Sequence, residues 1–396
     1  MKPYVTTVGT VLKEIVSGKS IQTLNRPAQS GEYGILKVSA VTWGEFRPQE
    51  SKAMPLDYDP GECPRPMDGD ILISRANTRE LVGAPVMVNG DYPQLLLSDK
   101  LLKLVPDESA VDRRYLVRAL RSTAASQHFF KCAGGSSGSM TNITQSDIRT
   151  APILLPSLPE QRRIAAILDK ADTLRAKRRE VLAQLDCLAQ SIFVEMFGDL
   201  FLNSKGFPVF RLGDVCDVRD GTHDSPAFIS EGYPLVTSKN LKNGCIDLCD
   251  VGYISKSDYI SINKRSKVDK GDLLMPMIGT IGNPVLVREE PNFAIKNMAL
   301  IKFTEKSPSR LFVHQFLNGD CFDRLVANRN KGGTQKFLAL GEIRGLPLPI
   351  PPLSLQREFD RRIERLLDLK KCQSVAMTET DVLFNSLQNQ AFRGKL

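Results

Sequence analysis

About fifty residues in the middle of this chain recur at its end, without a gap, 195 positions further on. Ile153-Leu-Leu-Pro-Ser-Leu-Pro-Glu-Gln161 leads into Arg162 and a long helical pattern, and Leu348-Pro-Ile-Pro-Pro-Leu-Ser-Leu-Gln356 leads into Arg357 and a second one. The same offset carries Asp147-Ile148-Arg149 to Glu342-Ile343-Arg344, Asp186 to Asp381, Ser191 to Ser386 and Phe197 to Phe392. Such a chain must fold as two copies of one unit, doing one job twice. Upstream the copies match more loosely. Val8-Gly9-Thr10-Val11 resembles Leu212-Gly213-Asp214-Val215, Gly69-Asp70-Ile71-Leu72 resembles Gly271-Asp272-Leu273-Leu274, and Gly83-Ala84-Pro85-Val86 resembles Gly282-Asn283-Pro284-Val285. The offset drifts by several residues there, as loop insertions would make it. The period is too long for a solenoid and fits two domains of ordinary size, each followed by its own helix.

With 396 residues, 42% hydrophobic and 25% charged, the chain has material for two cores. Its net charge of +8 favours a polyanionic partner, nucleic acid or an anionic surface. No apolar run is long enough to span a bilayer, and Met1-Lys2-Pro3-Tyr4-Val5-Thr6-Thr7 lacks the apolar core of a signal peptide. A cytoplasmic protein with no membrane contact is expected. The eight cysteines form no CxxC, and His128, His223 and His314 lie far apart, so free thiols and no metal are expected.

The stretch 1–155 carries short β-prone runs punctuated by Gly and Pro: Gly34-Ile-Leu-Lys37-Val-Ser39-Ala-Val41, Asp70-Ile-Leu-Ile-Ser74, Ala84-Pro-Val-Met-Val88 and Lys100-Leu-Leu-Lys-Leu-Val105. A helix follows over 113–121. From Glu160 to Phe197 no Pro or Gly intervenes, and a heptad frame fits with a at 164, 171, 178, 185 and 192 and d at 167, 174, 181 and 188. Its seam would be Ile164, Leu168, Leu174, Leu185, Leu188 and Ile192. At about 1.5 Å per residue such a helix is roughly 57 Å long. Gly198 ends it. The second copy offers Phe359, Ile363, Leu366, Met377, Leu383 and Leu387, with Gly394 as its stop. Two apolar stripes in one chain are best buried on each other. An antiparallel pair is expected, with Ile164 beside Leu387, Leu174 beside Met377, Leu185 beside Leu366, Leu188 beside Ile363 and Ile192 beside Phe359. The expected fold is α+β: tandem mixed domains at 1–155 and 199–350, spacer helices at 156–198 and 351–396, and an approximate two-fold axis.

Phosphate-loop, zinc-protease, nucleophile-elbow and dinucleotide-binding signatures are all lacking, as is the tetrapeptide of amino-methyltransferases. A binding module is favoured over an enzyme. The candidates are polar and basic loops at matched places: Lys37, Ser39, Arg75, Asn77, Thr78, Arg79, Thr141 and Asn142 in the first copy, and Ser238, Lys239, Asn240, Thr280, Arg329, Lys331, Gln335 and Lys336 in the second. Arg, Lys, Asn and Gln make contacts to base edges, while Ser, Thr and Lys hold phosphates.

Over its whole length the chain resembles the specificity subunits of type I restriction-modification systems. The resemblance is most specific in Leu158-Pro-Glu-Gln-Arg-Arg-Ile-Ala-Ala-Ile-Leu-Asp-Lys-Ala-Asp172 and in the ending Ser386-Leu-Gln-Asn-Gln-Ala-Phe-Arg-Gly-Lys-Leu396. It implies a non-catalytic subunit in which each target-recognition domain reads one half of a bipartite, asymmetric site on double-stranded DNA. The paired helices would set the spacing and dock two methyltransferase subunits, and motor-nuclease subunits would join the complex. S-adenosylmethionine, ATP and Mg would belong to those partners, with no cofactor in this chain. The alternative is a coiled-coil scaffold with no DNA role, against which the duplicated basic loops count.

Overall fold

A computed structural model describes residues 3–55, 57–137, 140–242, 244–277, 281–327 and 338–396. The chain forms two compact units, Met1–Arg179 with Ala376–Leu396, and Glu180–Val375. Each unit therefore contains one mixed domain and part of both long helices.

The first unit is built on an antiparallel sheet in the order Leu12–Ser17, Leu101–Pro106, Ile71–Ser74, Pro85–Met87. Beside it lies a three-stranded sheet in which Gly34–Leu36 runs antiparallel to Ser51–Ala53 and parallel to Leu95–Leu96. Tyr4–Thr7 pairs with the exit strand Pro152–Leu155. The second unit repeats these three sheets. Its main sheet is Asp217–Asp220, Met298–Lys302, Leu273–Pro276, Val285–Leu286. Tyr233–Val236 lies antiparallel to Gly252–Ile254 and parallel to Ala294–Ile295, and Val209–Arg211 pairs with Pro347–Pro349.

Particular residues explain the repeat. Gly69 and Gly271 take left-handed φ values of 76° and 93°, which only glycine adopts without strain. The aspartate after each is buried and anchors a turn. Asp70 accepts from Met67 N and pairs with Lys103 at 2.7 Å; Asp272 accepts from Asp269 N and pairs with Lys302 at 2.6 Å. The helix Arg113–Leu120 is capped by Asp112, and its counterpart Arg310–Leu317 by Ser309. Two glutamines from the repeated motif tie these caps to the long helices. Gln161 Oε1 accepts from Asp112 N at 2.9 Å while its amide donates to Pro156 O and Ala110 O. Gln356 Oε1 accepts from Ser309 N at 2.7 Å while its amide donates to Pro351 O.

The long helices span Leu158–Phe197 and Leu353–Ala391, and Gly198 and Gly394 follow with φ of 73° and 68°. Within the first unit the start of one helix packs on the end of the other: Ile164, Ala165 and Leu168 share a core with Phe384 and Ala391. Within the second unit the reverse ends meet, and Phe193, Phe197, Phe312 and Phe359 interlock with ring centroids 5.0–5.6 Å apart. The helices are therefore antiparallel.

Three sequence expectations need correction. The β-prone run at 34–41 ends as a strand at Leu36, and Ser39–Thr42 is a helical turn that buries Ala40 and Val41. The helical seam keeps the expected layers at 164, 171, 178, 185 and 192. The layers between them sit one residue later than the d frame, at 168, 175, 182 and 189. Leu174, Val181 and Leu188 are consequently exposed at 44%, 37% and 45%, and Leu383 at 52%. Arg175 takes the seam position because its charge is matched there. Its Nε donates to Asp381 at 2.6 Å, a second nitrogen reaches Asp172, and the guanidinium lies 4.3 Å from the Phe384 ring centroid. The register shifts too. Arg175 meets Asp381 and Asp186 meets Lys370, each five residues beyond the partner that the expected pairing assigns.

Candidate nucleic-acid interface

In the first unit the fold brings several of the sequence candidates close together. Ala76–Asn77 pairs with Met140–Asn142, which sets Thr141 opposite Asn77 and Asn142 opposite Ala76. Thr141 Oγ1 donates to Asn77 O at 3.2 Å, and Asn77 Oδ1 accepts from Thr78 N at 2.8 Å. Asn77 Nδ2 donates to Thr42 Oγ1 at 3.0 Å, joining this hairpin to the turn Ser39–Thr42. Arg79 is fixed by donation to Phe130 O and by stacking 4.7 Å from the centroid of the Phe130 ring. Arg75 is exposed, and among the described residues its side chain makes no hydrogen bond or ion pair. Lys37 and Ser39 both bind the Glu50 carboxylate at 2.7 Å, holding it below the usual carboxylate range. They are less available to a ligand than Arg75 is.

Trp43 follows that helical turn and is 59% exposed. It is the only tryptophan in the chain. Its uniqueness and its place beside the matched Ser39 segment were the signals available in the sequence. A large exposed ring next to polar side chains provides a stacking surface for a base or sugar.

In the second unit the counterpart segment is the turn Ser238–Asn240. Ser238 and Lys239 are exposed, but Asn240 is 5% exposed and structural. Its Nδ2 donates to Asp247 O and Asp250 O, and its Oδ1 accepts from the amide and hydroxyl of Thr237, all within 3.2 Å. These bonds hold the loop together and remove Asn240 from the candidate readers. Thr280, Arg329, Lys331, Gln335 and Lys336 lie outside the described residues. Near the turn, His223, Arg265 and Lys296 form a basic cluster that the candidate set did not include, because its members are distant in sequence.

Among the described residues no helix is long and apolar enough to cross a membrane, and no three His, Cys, Asp or Glu side chains are grouped to hold a metal ion. The surface offers charged, hydrogen-bonding and stacking groups on loops carried by rigid sheets, an arrangement for binding.

Comparison with known proteins agrees with this arrangement. The family model for the type I restriction modification DNA specificity domain matches residues 11–184 and 204–374, one match for each copy. The type I restriction enzyme EcoBI specificity subunit of Escherichia coli is 24% identical over 333 residues, covering 76% of this chain and 69% of the relative. A putative type I restriction enzyme MjaX specificity subunit of Methanocaldococcus jannaschii is 23% identical over 337 residues, with 83% and 78% covered. The fold is shared with the crystal structure of a type I restriction-modification S subunit from M. genitalium, at a TM-score of 0.58 and 15% identity over 99% of this chain and 96% of that one. It is also shared, at a TM-score of 0.52 and 19% identity over 100% of this chain and 98% of the other, with a chain from work on complex assembly and conformational transition of the type I system. Two family matches on two copies of one topology establish that the chain belongs to the type I restriction-modification specificity subunit family, the non-catalytic DNA specificity component of such complexes.

Proposed function

We propose that each of the two mixed domains, 1–155 and 199–350, reads one half of a bipartite, asymmetric site on double-stranded DNA. The observation that carries this is one topology built twice with different side chains at matched loops. A shared scaffold with unlike surfaces fits a two-part target whose halves differ. In the first domain Arg75, Asn77, Thr78, Arg79, Thr141 and Asn142 face the DNA, with Trp43 stacking beside them and Lys37 and Ser39 at the margin. In the second, Ser238 and Lys239 contribute, joined by Thr280, Arg329, Lys331, Gln335 and Lys336.

The regions 156–198 and 351–396 act as the spacer and dock two methyltransferase subunits. Leu174, Val181 and Leu188 support this. They recur every seven residues on one exposed strip of a helix, an apolar strip of the kind that a partner covers. Motor-nuclease subunits join through the complex. S-adenosylmethionine, ATP and Mg serve the partner subunits and none binds this chain, which works in the cytoplasm. The test is methylome sequencing of the host with and without the gene. Loss of one bipartite, asymmetric adenine-methylation motif is expected; an unchanged methylome, or loss of a palindromic motif, would overturn the reading.

A further inference from the structure

In each unit one isolated parallel bridge closes the gap between the two sheets: Lys19 lies opposite Ser98 in the first, and Thr222 opposite Lys296 in the second. The backbone bonds are the same. Lys19 N donates to Leu97 O and Asp99 N to Lys19 O, as Thr222 N donates to Ile295 O and Asn297 N to Thr222 O. A glycine precedes each, Gly18 and Gly221, and a Cβ there would come within 2.2 and 2.6 Å of the facing backbone. The two copies thus share the geometry while the lysine has changed sides.

The second unit builds further charge around its lysine. His223 Nε2 lies 2.9 Å from Asp220 Oδ2, and Nδ1 lies 2.9 Å from Asn297 Oδ1. Both ring nitrogens thus have an oxygen within hydrogen-bond distance, an arrangement that favours the protonated ring. Asn297 holds its place through a left-handed φ of 54°. Asp220 is 7% exposed and also binds Arg265, while Lys296 reaches Ser225 Oγ. One buried carboxylate thus organises His223 and Arg265, with Lys296 at the adjoining bridge. The two side chains on Asp220 are largely exposed, at 63% for His223 and 68% for Arg265. Asp224 follows His223 in the chain, and nearby Arg219 is engaged by Asp217. The cluster carries a net positive charge when His223 is protonated, and it is open to solvent. It adjoins the Ser238 turn through the bond from Lys296 N to Val236 O.

We propose that this bridge is where each domain grips the DNA backbone, through Lys19 in the first and through Lys296, His223 and Arg265 in the second. The proposal rests on the reading of the chain as a DNA specificity subunit and adds a phosphate site outside the reading loops. Compact cations serve this role because they neutralise a phosphate without reading a base. It follows that only the second domain's grip depends on pH near neutrality. Hydrogen bonds to Asn297 and then Asp220 raise the His223 pKa above 6.5. The contact is therefore complete below that range and lost as pH rises through the raised value.

The experiment uses the assembled methyltransferase complex and a duplex carrying the motif found by methylome sequencing, with salt titrations at pH 6.5 and 8.5. Lys19→Gln and Lys296→Gln should each lower the slope of log affinity against log salt by about one unit, and Lys296→Arg should restore it. His223→Gln should weaken binding at pH 6.5 and match wild type at pH 8.5. Complex assembly, followed by size-exclusion chromatography, should be unchanged in every variant. Wild-type slopes in both glutamine variants, or an unaltered pH profile in His223→Gln, would overturn the inference. A wild-type complex that fails to prefer the motif over a scrambled duplex would instead overturn the reading on which it rests.

Discussion

Gln161 and Gln356 are among the few polar side chains in the described structure that are almost completely buried, at 1% and 2% exposure. Each answers a backbone N–H at a helix cap and a carbonyl stranded by a proline-rich exit. Removing either leaves those groups buried without partners, at about 1–3 kcal/mol per site. Gln161→Ala and Gln356→Ala should each lower the urea unfolding midpoint accordingly, and a shift of under a few tenths of a kcal/mol would contradict the role. A second matched pair differs in chemistry. The Pro85 carbonyl is satisfied by Arg121, and the equivalent Pro284 carbonyl by His314 at 3.0 Å. Burial pulls the His314 pKa from 6.5 to about 4, so the ring is neutral in the folded state. An unfolded chain gains a proton below pH 6.5 that the folded one refuses. The stabilisation is present above 6.5 and is lost as pH falls toward 4. The full shift corresponds to roughly 3 kcal/mol, and partial exposure of the residue reduces this to about 1–2 kcal/mol. Between pH 7 and 4.5, His314→Gln should lose that much less stability than wild type in denaturant titrations. Parallel losses would refute the assignment.

At the scale of elements, the long helices are legible because nothing in 160–197 breaks a helix and glycines punctuate both ends. Half of the seam is legible as well, since Ile164, Leu185 and Ile192 are apolar where the helices meet. The other half is hidden because packing chooses shape and charge over apolarity. Arg175 is satisfied by two carboxylates and a ring, and Ala189 permits close approach where Leu188 looks the better choice. In the layer between, Val181 and Leu182 are both apolar, so the pattern does not say which turns inward; Leu182 is the half-buried one. A frame read from apolarity alone therefore assigns Leu174, Val181 and Leu188 to the interior; the five-residue slip in register is separate and follows from centring the pair on residue 178 and its copy 373. The two sets should respond oppositely to substitution. Leu168→Ala, at a fully buried position, should cost about 2–5 kcal/mol in thermal or urea unfolding. Leu174→Glu combined with Leu188→Glu should change stability by only about 0.5 kcal/mol and yet abolish co-purification with the methyltransferase subunit. Retained co-purification would show that the strip is not the docking face.

For the whole molecule, the duplication discloses the topology without disclosing the reading surface. The constant offset over 147–197 and 342–392 reflects parts that must fit a fixed partner: the cap, the glutamine and the helix. The drifting offset upstream reflects loops whose backbone path is set by local hydrogen bonds, as at Asn240, where residue type suggests a reader and the fold makes a brace. Nor could residue type bring together His223, Arg265 and Lys296, which meet only because the Thr222–Lys296 bridge and the helix Lys256–Ser266 converge on Asp220. The same division predicts how the chain can be re-engineered. Gln356 engages the second domain through the backbone N–H of residue 309, a contact that any capping residue supplies. The aromatic contact has an equivalent in the first copy, where Tyr115 meets Phe392 at 5.6 Å much as Phe312 meets Phe197 at 5.0 Å. A foreign family domain replacing 205–350, with an aromatic residue at the position of Phe312, should therefore seat on the native helices. Ser309 also binds Asp360, so a serine or aspartate cap decides how much of that contact survives: serine keeps it, and aspartate sets two carboxylates together and weakens it. Host methylomes should then show one half-site exchanged, with the other half-site and the spacer unchanged. A chimera that assembles with methyltransferase but changes both half-sites, or neither, would mean that the two domains do not read independently.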